Sequence, residues 1–217
     1  MSNYIHTSDQ RDSKHTSALP YPCRLFPSNE LKQTGSGWGD YGIYVNGPTH
    51  TSFLYALTQG SDYDKRVGRR IRVKRLQAKL HIYVPQAAVA DGDFDVVRCI
   101  IYVDRQANGS ATGTLTDMFY DNTSMDSVLQ TSSYRYEILY DQARAMGRNA
   151  IDGDHGVVVE PCSSLFDIDL ATDFPVTFGA SNYVFSNNPC IALMSRRGIL
   201  YYSCYVDGHF EAFFTND

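Results

Sequence analysis

Apolar and polar residues alternate with a period of two along several stretches of this chain. Ile71 and Val73 alternate with Arg70, Arg72 and Lys74. The alternation then moves by one residue, and Leu76, Ala78, Leu80, Ile82 and Val84 carry it on. Side chains on a strand point to opposite faces in turn. A single strand over residues 69–84 therefore keeps one apolar face inward only if an extra residue, a β-bulge, sits at Lys74-Arg75. Residues 96–103 are almost continuously apolar and predict a buried central strand. Runs of β-branched and aromatic residues between turn residues predict further strands over 43–45, 134–140, 157–159, 165–170, 191–194 and 200–214.

The intervening segments predict irregular chain. Residues 20–48 are rich in Pro and Gly around Trp38 and lead into the short strand at 43–45. Residues 48–59 fit one helical turn or a loop packed through Phe53, Leu54 and Leu57. Asn108-Gly109 marks a turn, and residues 116–129, 147–156 and 182–189 read as loops. Residues 1–20 are polar and read as a flexible or partner-docked arm. Eight or so strands without an amphipathic helix indicate an all-β sandwich. Long connections favour a Greek-key or jelly-roll topology over an up-and-down barrel. There is no internal repeat and no linker that would divide two domains.

Composition adds three constraints. A chain of 217 residues forms one large β domain or two small ones, with no need of covalent staples. The 16 Tyr and 11 Phe suit half-exposed β-faces and protein interfaces, because Tyr packs its ring while its hydroxyl stays wet. Five cysteines, Cys23, Cys99, Cys162, Cys190 and Cys204, are odd in number and widely spaced, which speaks against a disulfide framework or a zinc site. Cys99 and Cys204 lie in apolar strand patterns and are expected to be small buried hydrophobes, reduced as in an intracellular folding compartment. The chain has no run of 18 apolar residues and no apolar leader, so neither a membrane span nor a signal peptide is expected.

Charge changes the picture most. The net charge is −5, yet residues 65–79 hold eight of the nineteen basic residues and no acidic one. Lys65, Arg66, Arg69, Arg70, Arg72, Lys74, Arg75 and Lys79 are the candidate site. They would meet phosphates on a particle's inner wall, or carboxylates across a subunit contact. The plain alternative is a solvated strand face that blocks edge pairing. Some of these side chains should face outward or pair with Asp, which lowers the number of phosphate contacts. No base-reading motif accompanies them, so any nucleic-acid binding would be indifferent to sequence. Trp38 and Tyr63 could stack on bases, but core or interface packing is the stronger reading.

Three ordered stretches resemble a known family. Thr58-Gln59-Gly60 followed by Lys65-Arg66-Val67-Gly68-Arg69-Arg70-Ile71 resembles a glutamine–glycine, then Arg-x-Gly-Arg/Lys pattern before the third strand. The run from Val97 to Gly109 resembles that family's apolar strand ending in Asp-Arg/Lys and Asn-Gly. The run from Tyr134 to Asp141 resembles its next strand. The family is the capsid (coat) proteins of circular Rep-encoding single-stranded DNA viruses, circovirus-like, related to the satellite tobacco necrosis virus coat protein. The resemblance covers residues 40–217 and implies an all-β, single jelly-roll, eight-stranded antiparallel β-sandwich with long loops, preceded by an arm over residues 1–39. It implies self-assembly into a homo-oligomer of roughly sixty copies, the smallest full icosahedral shell. It also implies a virion location, assembly in the host nucleus, sequence-independent contact with a single-stranded DNA genome, a host receptor, and no membrane insertion. The family's long Arg-rich arm has no counterpart, since residues 1–20 hold only Arg11 and Lys14.

Other chemistry has little support. Asp91/Asp93/Asp95, Asp152/Asp154 and Asp167/Asp169 match no EF-hand loop and read as solvated acids, with inter-subunit Ca²⁺ as the minority alternative and no other cofactor expected. The six His include no metal-ligand spacing, and no nucleophile elbow or phosphate-binding Gly loop occurs. Asp152-Gly153-Asp154-His155 is the one faint catalytic candidate, so no enzyme is expected. Asn108 and Asn122 open glycosylation sequons that should stay bare without a secretion signal. The alternative to a coat protein is a lectin-like β-sandwich that binds glycans through exposed Tyr, Trp38 and Asp/Asn loops.

Overall fold

A computed structural model describes residues 30–43, 49–83, 94–107, 118–119, 134–147, 163–179, 182–195 and 204–217. Nine strands follow in order: β1 Lys32–Ile43, β2 Thr49–Ser52, β3 Arg70–Tyr83, β4 Phe94–Asp104, β5 Tyr136–Gly147, β6 Ser163–Phe178, β7 Val184–Ser186, β8 Asn188–Ser195 and β9 Cys204–Asn216. No helix occurs among the described residues. One sheet has the order β1-β9-β3-β6-β7 and the other β2-β8-β4-β5. Every strand pair in both is antiparallel. The chain is an all-β two-sheet sandwich.

β3 follows its alternation. Its register shifts between Val73 and Arg75 against both β6 and β9, which is the bulge the pattern requires. The extra residue keeps Ile71, Val73, Leu76, Ala78, Leu80 and Ile82 all on the buried face. They meet Val97, Cys99, Ile101, Ile191 and Leu193 of the other sheet in the main core. Each fully buried Leu, Ile, Val or Phe there contributes about 1.5–3 kcal/mol. A second cluster lies on the far face of the four-stranded sheet, where Met118 and Phe119 cover Ile100, Tyr102, Cys190, Ala192 and Met194. β4 is thus buried on both faces, which explains its continuous apolar run.

Several boundaries differ from the sequence expectations. The Gly-rich segment around Trp38 is a strand, β1, so the sheet includes residues 32–39 and the sandwich starts before residue 40. β1 needs no apolar run, because its backbone pairs with β9 while Trp38 packs on Phe210 at 5.1 Å between ring centroids. The backbones come close there: a Cβ on Gly208, whose φ is +153°, would lie 2.2 Å from the Lys79 carbonyl oxygen. Thr49–Ser52 forms β2, and Phe53, Leu54 and Leu57 make a packed turn rather than a helix. β5 and β6 run well past residues 140 and 170. Residues 182–189 include β7 and the start of β8 instead of a plain loop. The expected turn at Asn108-Gly109, the strand at 157–159 and residues 1–20 lie outside the described residues.

Register fixes which segments share an end of the sandwich. Lys32 pairs with Phe214, Ile71 with Asn216 and Arg70 with Thr177. Thr177 pairs in turn with Ser186, two residues before β8 begins. The starts of β1, β3 and β8 and the ends of β6 and β9 therefore lie together. Residues 53–69 cross between the sheets at this end.

Candidate inter-subunit and nucleic-acid surface

The bulge sets the geometry of the basic strand. Arg70, Arg72 and Lys74 point outward before it; Arg75 and Lys79 point outward after it. β6 lies alongside with Asp167, Asp169 and Asp173 on the same outer face. Lys79 stands opposite Asp167 with 3.7 Å between Nζ and Oδ2. Arg75 grips both oxygens of Asp169 through the Nε–Nη2 edge of its guanidinium, Nε lying 2.7 Å from Oδ1. Lys74 reaches Asp173 at 2.7 Å, and Arg72 reaches the same carboxylate at 3.5 Å. The Arg75 hydrogen bond holds the Asp169 carboxyl down at about 2, helped by Gln77. Asp173 is lowered by its hydrogen bond from Lys74 and by Arg72. Solvent screens these exposed pairs, so each contributes little to stability. Their larger effect is electrostatic: three carboxylates of β6 offset most of the charge of four cations on the outer face of β3.

The other candidates divide sharply. Lys65 sits in the 53–69 segment and pairs with Asp62. The Lys65 and Asp62 carbonyls also accept the buried Lys32 Nζ at 3.0 Å each, which ties the start of β1 to this segment. Arg66 is a correction to the site, because it is 1% exposed and offers nothing to a partner. Its guanidinium lies 4.2 Å from the centre of the Phe178 ring and donates to the Gly68 carbonyl and, at 3.1 Å, to Asn182 Oδ1. Burial, and the neighbouring Arg69 charge, push its pKa below the ordinary value. Its Nε has no partner among the described residues. Arg69 and Arg70 are exposed and form no ion pair among the described residues. Of the eight candidates, these two alone keep a free charge.

Sequence reasoning missed two ion pairs that join β4 to β5. Asp104 is fully buried at the end of β4, and Arg135 binds both its oxygens at 2.8 and 2.9 Å. Arg98 binds both oxygens of Asp141 at 2.7 and 2.6 Å. Each pair links the second of the three family-like stretches to the third. The available signal was reciprocal: Arg98 and Asp104 on one strand, Arg135 just before the next and Asp141 on it, at matching separations suited to antiparallel pairing.

Some of the exposed apolar residues lie near the free arginines, while Tyr41, Tyr134 and Leu165 stand elsewhere. Val67, Tyr63, Tyr183 and Phe185 are each more than half exposed. Contacts place most of them at the 53–69 end. Val67 N donates to Asn216 Oδ1 at 2.8 Å, Gly179 N to the Tyr183 carbonyl at 3.0 Å, and Phe178 N to the Arg69 carbonyl at 2.8 Å. Trp38, by contrast, packs on the core and is no exposed stacking platform.

Asp167 and Asp169 serve the cation ladder; Asp91, Asp93, Asp152, Asp154 and His155 lie outside the described residues. No group of three or more His, Cys, Asp or Glu among the described residues could hold a metal ion. Cys99, Cys190 and Cys204 are buried, and desolvation pushes the Cys99 thiol up to about 12. Cys23 and Cys162 lie outside the described residues. No described helix is long and apolar enough to cross a membrane. Fold and surface together define an antiparallel β-sandwich with one charge-balanced face and one arginine-and-aromatic end. No protein-family model matches this chain, and no curated protein matches it.

Proposed function

We propose that this chain is a capsid protein, a single jelly roll whose copies close into a small icosahedral shell around a single-stranded genome. The strand order carries the reading. With the short β7 set aside, β1 pairs with β9, β2 with β8, β3 with β6 and β4 with β5. Folding one long antiparallel hairpin over on itself produces a nested order of this kind, which supports a jelly roll like those of viral coats and some lectins. The family-like stretches fall in matching order on this frame: one leads into β3, one runs along β4, one opens β5. Fold alone does not fix function, so the ordered stretches add the discrimination that topology lacks. The mechanism is assembly. Exposed Tyr, Phe and Arg supply contact area between neighbours, and closed symmetry lets each contact return on itself.

The paired β3 face leaves Arg69, just before the strand, and Arg70 as the cations of this stretch most open to genome contact. Shell formation in this reading rests on protein contacts.

The test is light scattering on the purified protein as it leaves a sizing column, with absorbance at 260 and 280 nm. About sixty chains of 24.4 kDa give an expected peak of roughly 1.5 MDa. A high 260/280 ratio within it supports an enclosed genome, and a low ratio removes that part of the proposal. A monomer peak that persists across salt and pH overturns the shell.

A further inference from the structure

Eight cations among the described residues face a carboxylate of their own chain. Lys32 and Arg144 donate to backbone carbonyls instead. The remaining three, Arg66, Arg69 and Arg70, fall within five consecutive residues. Arg66 is enclosed, so its charge adds to the local potential without being reachable. Gly68, with φ +79°, turns the chain between them and has open space where a Cβ would stand. Tyr63, Val67, Tyr183 and Phe185 stand around this turn. Arginine and aromatic side chains are the types enriched in protein interfaces and their hot spots.

We propose that this end of the sandwich docks a second copy of the same chain, with Arg69 and Arg70 meeting carboxylates that the neighbour leaves without a cation. The inference rests on the assembly reading in one respect, that the neighbour is a copy of this chain. Charge complementarity selects the occupant. The chain holds 24 acidic against 19 basic residues, so its surplus is negative. On the outer face of β9, Asp207 and Glu211 form no ion pair among the described residues. An arginine-bearing, apolar end, which also carries Asp64 and Asp217, and an anionic strand face on one molecule suit a heterologous contact, the kind that builds closed rings and shells.

Nucleic acid fits this end less well. Two free guanidiniums neutralise about two phosphates, a salt slope of only about −1.4 on a single strand. Phosphates also give Val67 and Phe185 nothing to be buried against.

The experiment uses the full chain and two variants, Arg69→Glu/Arg70→Glu and Tyr183→Ala/Phe185→Ala. All four side chains are exposed, so both variants should keep the parent's circular dichroism and melting temperature. Under conditions where the parent assembles, both variants should scatter near 24.4 kDa. The alanine variant carries the test if charge reversal prevents folding. Folded variants that assemble as well as the parent would overturn the inference and leave the shell standing. A parent that forms only small oligomers, lost in the variants, would support the inference and remove the shell. A parent that stays monomeric at every concentration and salt removes both. If assembly needs an added oligodeoxynucleotide and the variants lose only the oligonucleotide, the occupant is nucleic acid and the inference fails.

Discussion

Arg66 and Asp104 are charged side chains sealed inside the fold, and they differ in what answers them. Asp104 has a bidentate cation; Arg66 has a ring, a carbonyl and an amide. A buried carboxylate stripped of its cation is costly, so Arg135→Met should lower stability by about 3 kcal/mol. Urea unfolding followed by circular dichroism measures this, and a loss below about 1 kcal/mol would show that water replaces the guanidinium. Neither burial was legible in the sequence. Arg66 looked like one more member of a basic run, because counting charge along a chain says nothing of which way a turn points it. Asp104 looked like a strand-end acid. Its partner sits 31 residues away, a pairing that only the β4–β5 register reveals.

At the level of elements, the strand with a side-chain pattern was legible and the strand without one was not. β3 announced its bulge because seven apolar positions, Ile71 to Val84, alternate with one phase shift between Val73 and Leu76. β1 hid behind Gly35, Gly37, Gly39 and Gly42, which present no side chain to alternate; backbone pairing with β9 makes it a strand. The ladder between β3 and β6 also predicts a pH response. Asp169 has its carboxyl depressed from 3.8 to about 2, so the contribution of its pair with Arg75 is complete above the ordinary carboxylate range and lost as pH falls through about 2. A carboxyl-carbon NMR titration should place the Asp169 midpoint near about 2, and Arg75→Gln should return it towards 3.8. A wild-type midpoint already at 3.8 would mean the pair does not form in solution.

For the whole molecule, charge balance decides what the sandwich attracts. The sequence showed a cationic block in an acidic chain, but the cancellation by β6 depends on which strands become neighbours. Asp167→Asn/Asp169→Asn/Asp173→Asn would uncover Arg72, Lys74, Arg75 and Lys79 while leaving the core untouched. This variant should bind single-stranded oligonucleotides more tightly than the parent, with the salt dependence steepening by about 0.7 per phosphate engaged. Fluorescence anisotropy across a salt series reads it, and unchanged affinity would show that the face is screened by something other than those aspartates.

β9 lies between β1 and β3 although it is the last strand of the nine. During synthesis β1 and β3 must wait for it, and pairings that close long loops form late. Asn216, where β9 ends, also accepts a hydrogen bond from Val67 N at the proposed docking end. A nascent or prematurely stopped chain therefore lacks the middle of one sheet and the finished contact surface together. In the proposed assembly, pairing of β9 becomes the checkpoint for joining a neighbour, because the docking end is unfinished without it.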